Sequence, residues 1–177
     1  MNLEKFTQKS LQAIQEAQSL ALSYKNMQIE QEHLLYALLT QKDGLIPEMI
    51  RKLNINLEGM IKAVKEKISR LPSVTGSGRE PGKIYVSSKV EETLINSETI
   101  AKNMKDEFVS VEHIMLSILA NPSTGLSDLF RDYSLTEDKF LLSLQEVRGN
   151  TRVTSENPEG TYDDPKGQPL RKEVYPR

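Results

Sequence analysis

Apolar and polar positions along this chain recur with a helical period, and the whole pattern occurs twice. Leu11, Ile14, Ala17, Leu20, Ala21 and Tyr24 fall at spacings of three and four, which predicts a helix from about Gln8 to Tyr24. Thr7 stands where an N-cap hydroxyl accepts an orphan amide hydrogen, and Phe6 and Leu11 are placed as a hydrophobic staple. After the polar connection Lys25-Asn26-Met27-Gln28, the residues Leu34, Leu35, Ala37, Leu38 and Leu39 cover too much of a helix circumference for a surface position. A central, buried second helix is therefore expected, ending at Asp43-Gly44. A shorter helix from about Ile46 to Leu53 tolerates Pro47 in its first turn. Asn56 caps a fourth helix from Leu57 to Arg70, with Ile55 placed to staple onto Met60.

The same succession returns 80 positions later: Glu32-His33 matches Glu112-His113, Phe6 matches Val86, Thr7 matches Ser87, Ile14 matches Leu94 and Ile50 matches Phe130. Staples repeat as well, since Leu135 and Phe140 flank the capping Thr136 as Ile55 and Met60 flank Asn56. A tandem duplication explains this. It predicts helices from Ser88 to Asn103, from Ser110 through a second apolar run, from about Leu126 to Tyr133, and from Glu137 to Arg148. The expected class is all-α, two pseudo-symmetric four-helix repeats in one globular domain over residues 1–149. Repeat one spans about 6–70, the crossover 71–86 and repeat two about 87–148. The crossover, rich in Pro, Gly and Ser, reads as mobile. Residues 150–177 carry Pro158, Pro165, Pro169 and Pro176 with little to bury, and read as a flexible linker or tail outside the fold.

Composition removes several functional classes. The chain of 177 residues has no cysteine, a formal charge of −2 and a pI near 5.8, so it offers no thiol chemistry and no global attraction to nucleic acid. The start lacks an apolar leader and no run approaches a membrane span. A cytoplasmic protein without membrane or nucleic-acid partners is expected.

Catalytic motifs are missing. The crossover resembles a phosphate-binding loop only superficially: Ser77 and Ile84 occupy positions that need glycine and a magnesium-binding hydroxyl. Adjacent Glu32 and His33 point about 100° apart on a helix and do not converge on one metal ion. The expected arrangement puts each glutamate in a first turn, favoured by the helix dipole, with the histidine packed behind it. Lys62, Lys65, Lys67 and Arg70 read as a solvated face. Asp106 and Glu112 differ in context, because they flank Phe108-Val109 where the second buried helix begins. Two acids beside apolar side chains suit an extended peptide with basic and apolar residues.

The segments Glu16-Ala17-Gln18-Ser19-Leu20-Ala21, Glu32-His33-Leu34-Leu35, Asp43-Gly44-Leu45-Ile46-Pro47, Arg70-Leu71-Pro72-Ser73-Val74-Thr75-Gly76-Ser77-Gly78 and Val147-Arg148-Gly149-Asn150 resemble the amino-terminal domain of Clp ATPases, built from two Clp repeats. The likeness runs from about Phe6 to Arg148 and is nearest to the disaggregase branch. Beyond Tyr162, Asp163-Asp164-Pro165-Lys166-Gly167-Gln168-Pro169 departs from the family's continuation, which leaves the tail's origin open.

The resemblance implies a non-enzymatic recognition domain that passes unfolded or aggregated polypeptides to ATPase modules of the same parent chain. Those modules, outside this sequence, would hold ATP and magnesium and form a hexamer; the domain itself needs no cofactor or metal and is expected to be monomeric. The family's substrate contacts fall on Thr7, Asp106 and Glu112, and alanine at Asp106 or Glu112 is expected to weaken binding while leaving folding intact. In protease-associated branches the domain docks adaptor proteins or reads phosphoarginine, through glutamates matching Glu32 and Glu112. Against that, those branches favour Gly-Thr before Glu-His, where this chain has Glu30-Gln31 and Ser110-Val111.

Overall fold

Most helices start where a side chain can satisfy their first amides. The computed structural model describes residues 3–74 and 84–149 together with positions 153, 154, 156 and 158. After a short 3-10 turn at Leu3–Lys5 come α1 (Gln8–Ser23), α2 (Gln31–Leu39), α3 (Leu45–Lys52), α4 (Leu57–Ser69), α5 (Ser88–Asn103), α6 (Val111–Ala120), α7 (Thr124–Asp132) and α8 (Glu137–Arg148). Thr7, Asn56, Ser87 and Thr136 each accept an amide of the first turn. The start of α7 differs from the expectation: Ser123 caps it by accepting from the Leu126 amide at 3.4 Å, so Thr124 and Gly125 are already helical. The apolar pattern marked only the buried face from Leu126 onward. The mobile reading of the crossover and the flexible tail concerns 75–83 and most of 150–177, which lie outside the described residues.

The ends of α1 and α5 obey one rule. Lys25 and Lys105 take left-handed backbone angles, φ 57° and 62°, and the amides of Asn26 and Asp106 reach back to Ala21 and Ala101, both at 2.9 Å. This is the Schellman closure, which satisfies orphan carbonyls and reverses the chain. Asn54 and Ser134, again one repeat apart, do the same after α3 and α7.

The repeats interlock by exchanging their entrances. Phe6, ahead of α1, pairs in parallel with Val109, ahead of α6; Val86, ahead of α5, pairs with Ile29, ahead of α2. The bonds correspond as well: Thr7 N–H to Val109 O at 2.9 Å, and Ser87 N–H to Ile29 O at 3.0 Å. Each repeat thus completes the other's backbone. Gln31 adds a buried polar stitch, donating to Thr93 Oγ1 and Asn121 O and accepting from the Ser123 amide.

At the centre α2 lies against α6, with α1 and α4 packed on the first and α5 and α8 on the second. All of α2 except Tyr36 is buried, as is α6 from Val111 to Ile118, which explains their unbroken apolar runs. The core extends past Gly149, where the sequence-based boundary was set: the Val153 side chain is fully buried within it. A lone valine in a polar, proline-rich stretch gives no periodic signal. Among the described residues, no helix is long and apolar enough to cross a membrane.

Candidate functional site

Because the Schellman turn fixes the backbone of Asp106, its carboxylate is aimed inward beneath the entrance to α6. There it collects four donors. Arg148, the last residue of α8, approaches in a fork, Nη2 to Oδ1 at 2.6 Å and Nη1 to Oδ2 at 2.9 Å. His113 Nε2 lies 2.6 Å from Oδ2, and the Val153 amide donates to Oδ1 at 2.9 Å. Burial alone would raise the carboxyl's pKa. The hydrogen bonds from His113, Arg148 and Val153, with the guanidinium charge, outweigh it and hold Asp106 well below the usual carboxylate range.

The two histidines close capping boxes. His33 Nδ1 accepts from the Glu30 amide at 2.8 Å and His113 Nδ1 from the Ser110 amide at 2.9 Å. With Nδ1 accepting, each ring carries its proton on Nε2, which points to Asn26 Oδ1 at 2.7 Å or to Asp106. The packed position expected for these histidines is the one they hold, and they also take the place Glu or Gln usually fills in a capping box. Burial pushes His33 down to about 4. Among the described residues, no group of three or more His, Cys, Asp or Glu side chains is arranged to hold a metal ion.

The other predicted residues sit in distinct settings. Thr7 is buried; its hydroxyl caps α1, accepting from the Ser10 amide at 3.2 Å and donating to Ser10 Oγ, which in turn donates to Val109 O. Glu112 is buried with Oε2 3.5 Å from Arg148 Nη1. Its counterpart Glu32 lies beside Gly125 and Lys67. Burial raises the pKa of Glu32; its own backbone amide opposes the rise, Glu30 reinforces it and Lys67 opposes it. The fold therefore gathers Asp106 and Glu112 around one guanidinium, brings Thr7 to them through Val109, and gives Glu32 a different cation.

One expectation changes. Asp106→Ala would leave His113, Arg148 and the Val153 amide without their shared acceptor, so it perturbs folding. The sequence placed Asp106 beside Phe108-Val109 but showed none of these donors. Arg148 and Val153 were missed as members of the site. An arginine in a last turn reads as a helix-dipole complement, and only the position of α8 over α6 reveals its partner.

Next to Asp106 runs a backbone edge that Val153 and Glu156 engage. The Glu107 amide donates to Val153 O at 2.7 Å and the Gln8 amide, first of α1, donates to Glu156 O at 2.9 Å. Half-buried Phe108, next to Glu107 in sequence, supplies apolar surface at this edge. A carboxylate acceptor, outward amides and apolar side chains can hold an extended polypeptide without reading its sequence.

The description "Clp repeat (R) N-terminal domain" matches residues 5–133. Chaperone protein ClpB of Clostridium tetani is 42% identical over 163 residues, 92% of this chain but 19% of the relative, so the chain spans about a fifth of that protein's length. The crystal structure of the Hsp104 N-terminal domain from Candida albicans superposes with a TM-score of 0.74 at 23% identity, covering 88% of this chain and 99% of that one. A complex of the ClpV N-domain with a VipB peptide superposes with a TM-score of 0.62 at 18% identity, covering 81% and 86%. With eight α-helices among its described residues in the order of that fold and a family match over most of its length, the chain belongs to the Clp repeat N-terminal domain family.

Proposed function

We propose that this domain recognises substrates for an ATP-dependent protein disaggregase, binding exposed apolar segments of unfolded or aggregated polypeptides and presenting them to the ATPase hexamer of its parent chain. The observation that carries the reading is the edge formed by Gln8, Asp106 and Glu107, which bonds the backbone of Val153 and Glu156 through groups any peptide offers. Thr7 and Glu112 act from behind it, Thr7 by fixing the first turn of α1 and Glu112 by holding Arg148 with Asp106. The similarity to chaperone relatives supports the role, and the peptide-bound ClpV domain supports peptide capture by this fold. The activity is binding, without bond chemistry in this domain, and it suits a cytoplasmic protein.

An NMR titration of the isotope-labelled chain with α-casein, a polypeptide without a stable fold, tests it. Shifts should cluster on Thr7, Glu107, Phe108 and Glu112, and Phe108→Ala should weaken them while the remaining spectrum stays folded. No shift at roughly millimolar ligand, where even weak complexes form, would overturn direct recognition. Phosphoarginine serves as the second arm: a response at Glu32 and Glu112 to it, and none to casein, would favour the modified-arginine reading and adaptor docking. The separate cationic neighbours of those glutamates, Lys67 and Arg148, weigh against that outcome.

A further inference from the structure

The edge that would take a client is already occupied by this chain. Val153 offers both of its backbone groups there, N–H to Asp106 Oδ1 at 2.9 Å and C=O to the Glu107 amide at 2.7 Å, and farther along Glu156 O accepts from Gln8. Its side chain is buried completely, whereas Thr154 and Glu156 are exposed. One aliphatic anchor with backbone-only polar contacts is what an unfolded segment of almost any sequence can reproduce.

We infer that Val153 is a resident pseudo-ligand, and that client segments carrying an aliphatic side chain bind by displacing it from Asp106 and Glu107. This rests on the client-binding reading above and adds what competes with the client and which side chain the pocket selects.

Three further observations support it. Gly149, which ends α8, takes φ 57° and ψ −121°, a conformation that only glycine adopts readily, and a Cβ there would meet nothing within 4 Å, so its conformation owes nothing to core packing. Repeat one makes the equivalent return with Ser73 bridged to Asn26 and the Val74 amide on Lys25 O at 2.7 Å, yet Pro72 and Ser73 stay exposed. A four-helix repeat therefore closes without an anchored side chain at this place. Finally, Asp106 keeps Arg148 and His113 when the Val153 amide leaves, so the vacated site remains assembled. Attached a few residues beyond α8, the tail acts at an effective concentration on the order of millimolar, enough to keep client binding weak and reversible.

The test uses the full chain with Val153→Asp, which expels the anchor, and Gly149→Ala, which misdirects the return without touching the core. Two probes are titrated by fluorescence anisotropy: a labelled decapeptide with the sequence of residues 149–158, and labelled α-casein. The expected result is that the decapeptide binds both variants at least tenfold more tightly than the parent chain. Casein should follow the same order and be displaced by the decapeptide. Amide exchange at Glu107 and Gln8 should accelerate in the variants and slow again with either probe. Folded variants that bind the decapeptide no better than the parent chain would overturn the pseudo-ligand. Decapeptide binding without any casein binding would leave the tail's dock standing and overturn the client reading. Should Val153→Asp unfold, Gly149→Ala carries the same comparison.

Discussion

Asn26 and Asp106 occupy the same place in the two repeats and bond the same atom, Nε2 of His33 at 2.7 Å and of His113 at 2.6 Å. One side chain is neutral and the other charged. The difference is balanced one helix away, where Ile68 at the end of α4 corresponds to Arg148 at the end of α8. Repeat two thus carries a buried charged set, Asp106 with Arg148, where repeat one is neutral, and that set lies beside the edge bonded to Val153.

Breaking the set is expected to cost more than removing it. Arg148→Ile or Asp106→Asn alone strands a buried partner and should destabilise by about 3–5 kcal/mol. The double variant rebuilds the neutral arrangement of repeat one and should recover a large part of the loss, short of all of it because Glu112 also loses the guanidinium. Urea unfolding of the three chains gives the coupling energy; purely additive losses would show that the pair does not act as a unit.

Acid should weaken the fold in two stages. His33 protonates at about 4 when folded but near 6.5 when unfolded, so the unfolded state takes up the proton first as pH falls. Its contribution is whole above about 6.5 and is withdrawn between about 6.5 and 4, roughly 3 kcal/mol in all. Asp106, depressed when folded, contributes fully above the usual carboxylate range and is lost only below it. Glu32, raised by burial, works the other way: its charged form costs stability, and the cost is relieved as pH falls through its raised value. His33→Gln keeps a capping-box acceptor and removes the titration, so its stability from about pH 7 to 5 should be flatter than that of the parent chain. An unchanged slope would place the proton uptake elsewhere.

The lysines at the ends of α1 and α5 bear a conformational cost. A left-handed lysine is disfavoured by about 1–2 kcal/mol, partly offset in a glycine by greater freedom when unfolded. Lys105→Gly and Lys25→Gly should each stabilise by about 0.5–1 kcal/mol, raising Tm by about 2 °C. Calorimetry decides; a fall in Tm would mean the lysine side chains contribute more than their backbone costs.

Gly125 sits in the first turn of α7, where an added Cβ would lie 3.4 Å from Glu32 Oε2 and 3.7 Å from Lys67 Cδ. Both are ordinary contacts, so Gly125→Ala should gain helix propensity and stabilise by about 0.5–1 kcal/mol. It should also exclude water further from Glu32 and move that carboxyl's titration upward in an NMR pH series; a downward movement would contradict the burial origin of its shift.

The duplication, the helices of the described residues and the caps Thr7, Asn56 and Thr136 were legible in the sequence, because helical period and capping are local and an offset of 80 residues repeats them. His33 and His113 were correctly read as packed side chains at the starts of the two buried helices, since their place in the first turn is set locally. The tertiary structure decided what local rules leave open: that the entrances of the two repeats are exchanged, with Phe6 on Val109 and Val86 on Ile29, and that Arg148 lies across Asp106. It also decided that one valine of an otherwise polar tail is buried beside that pair. Those facts depend on which helix faces which over separations of 40 residues and more, where a sequence records the residue types but not their meeting.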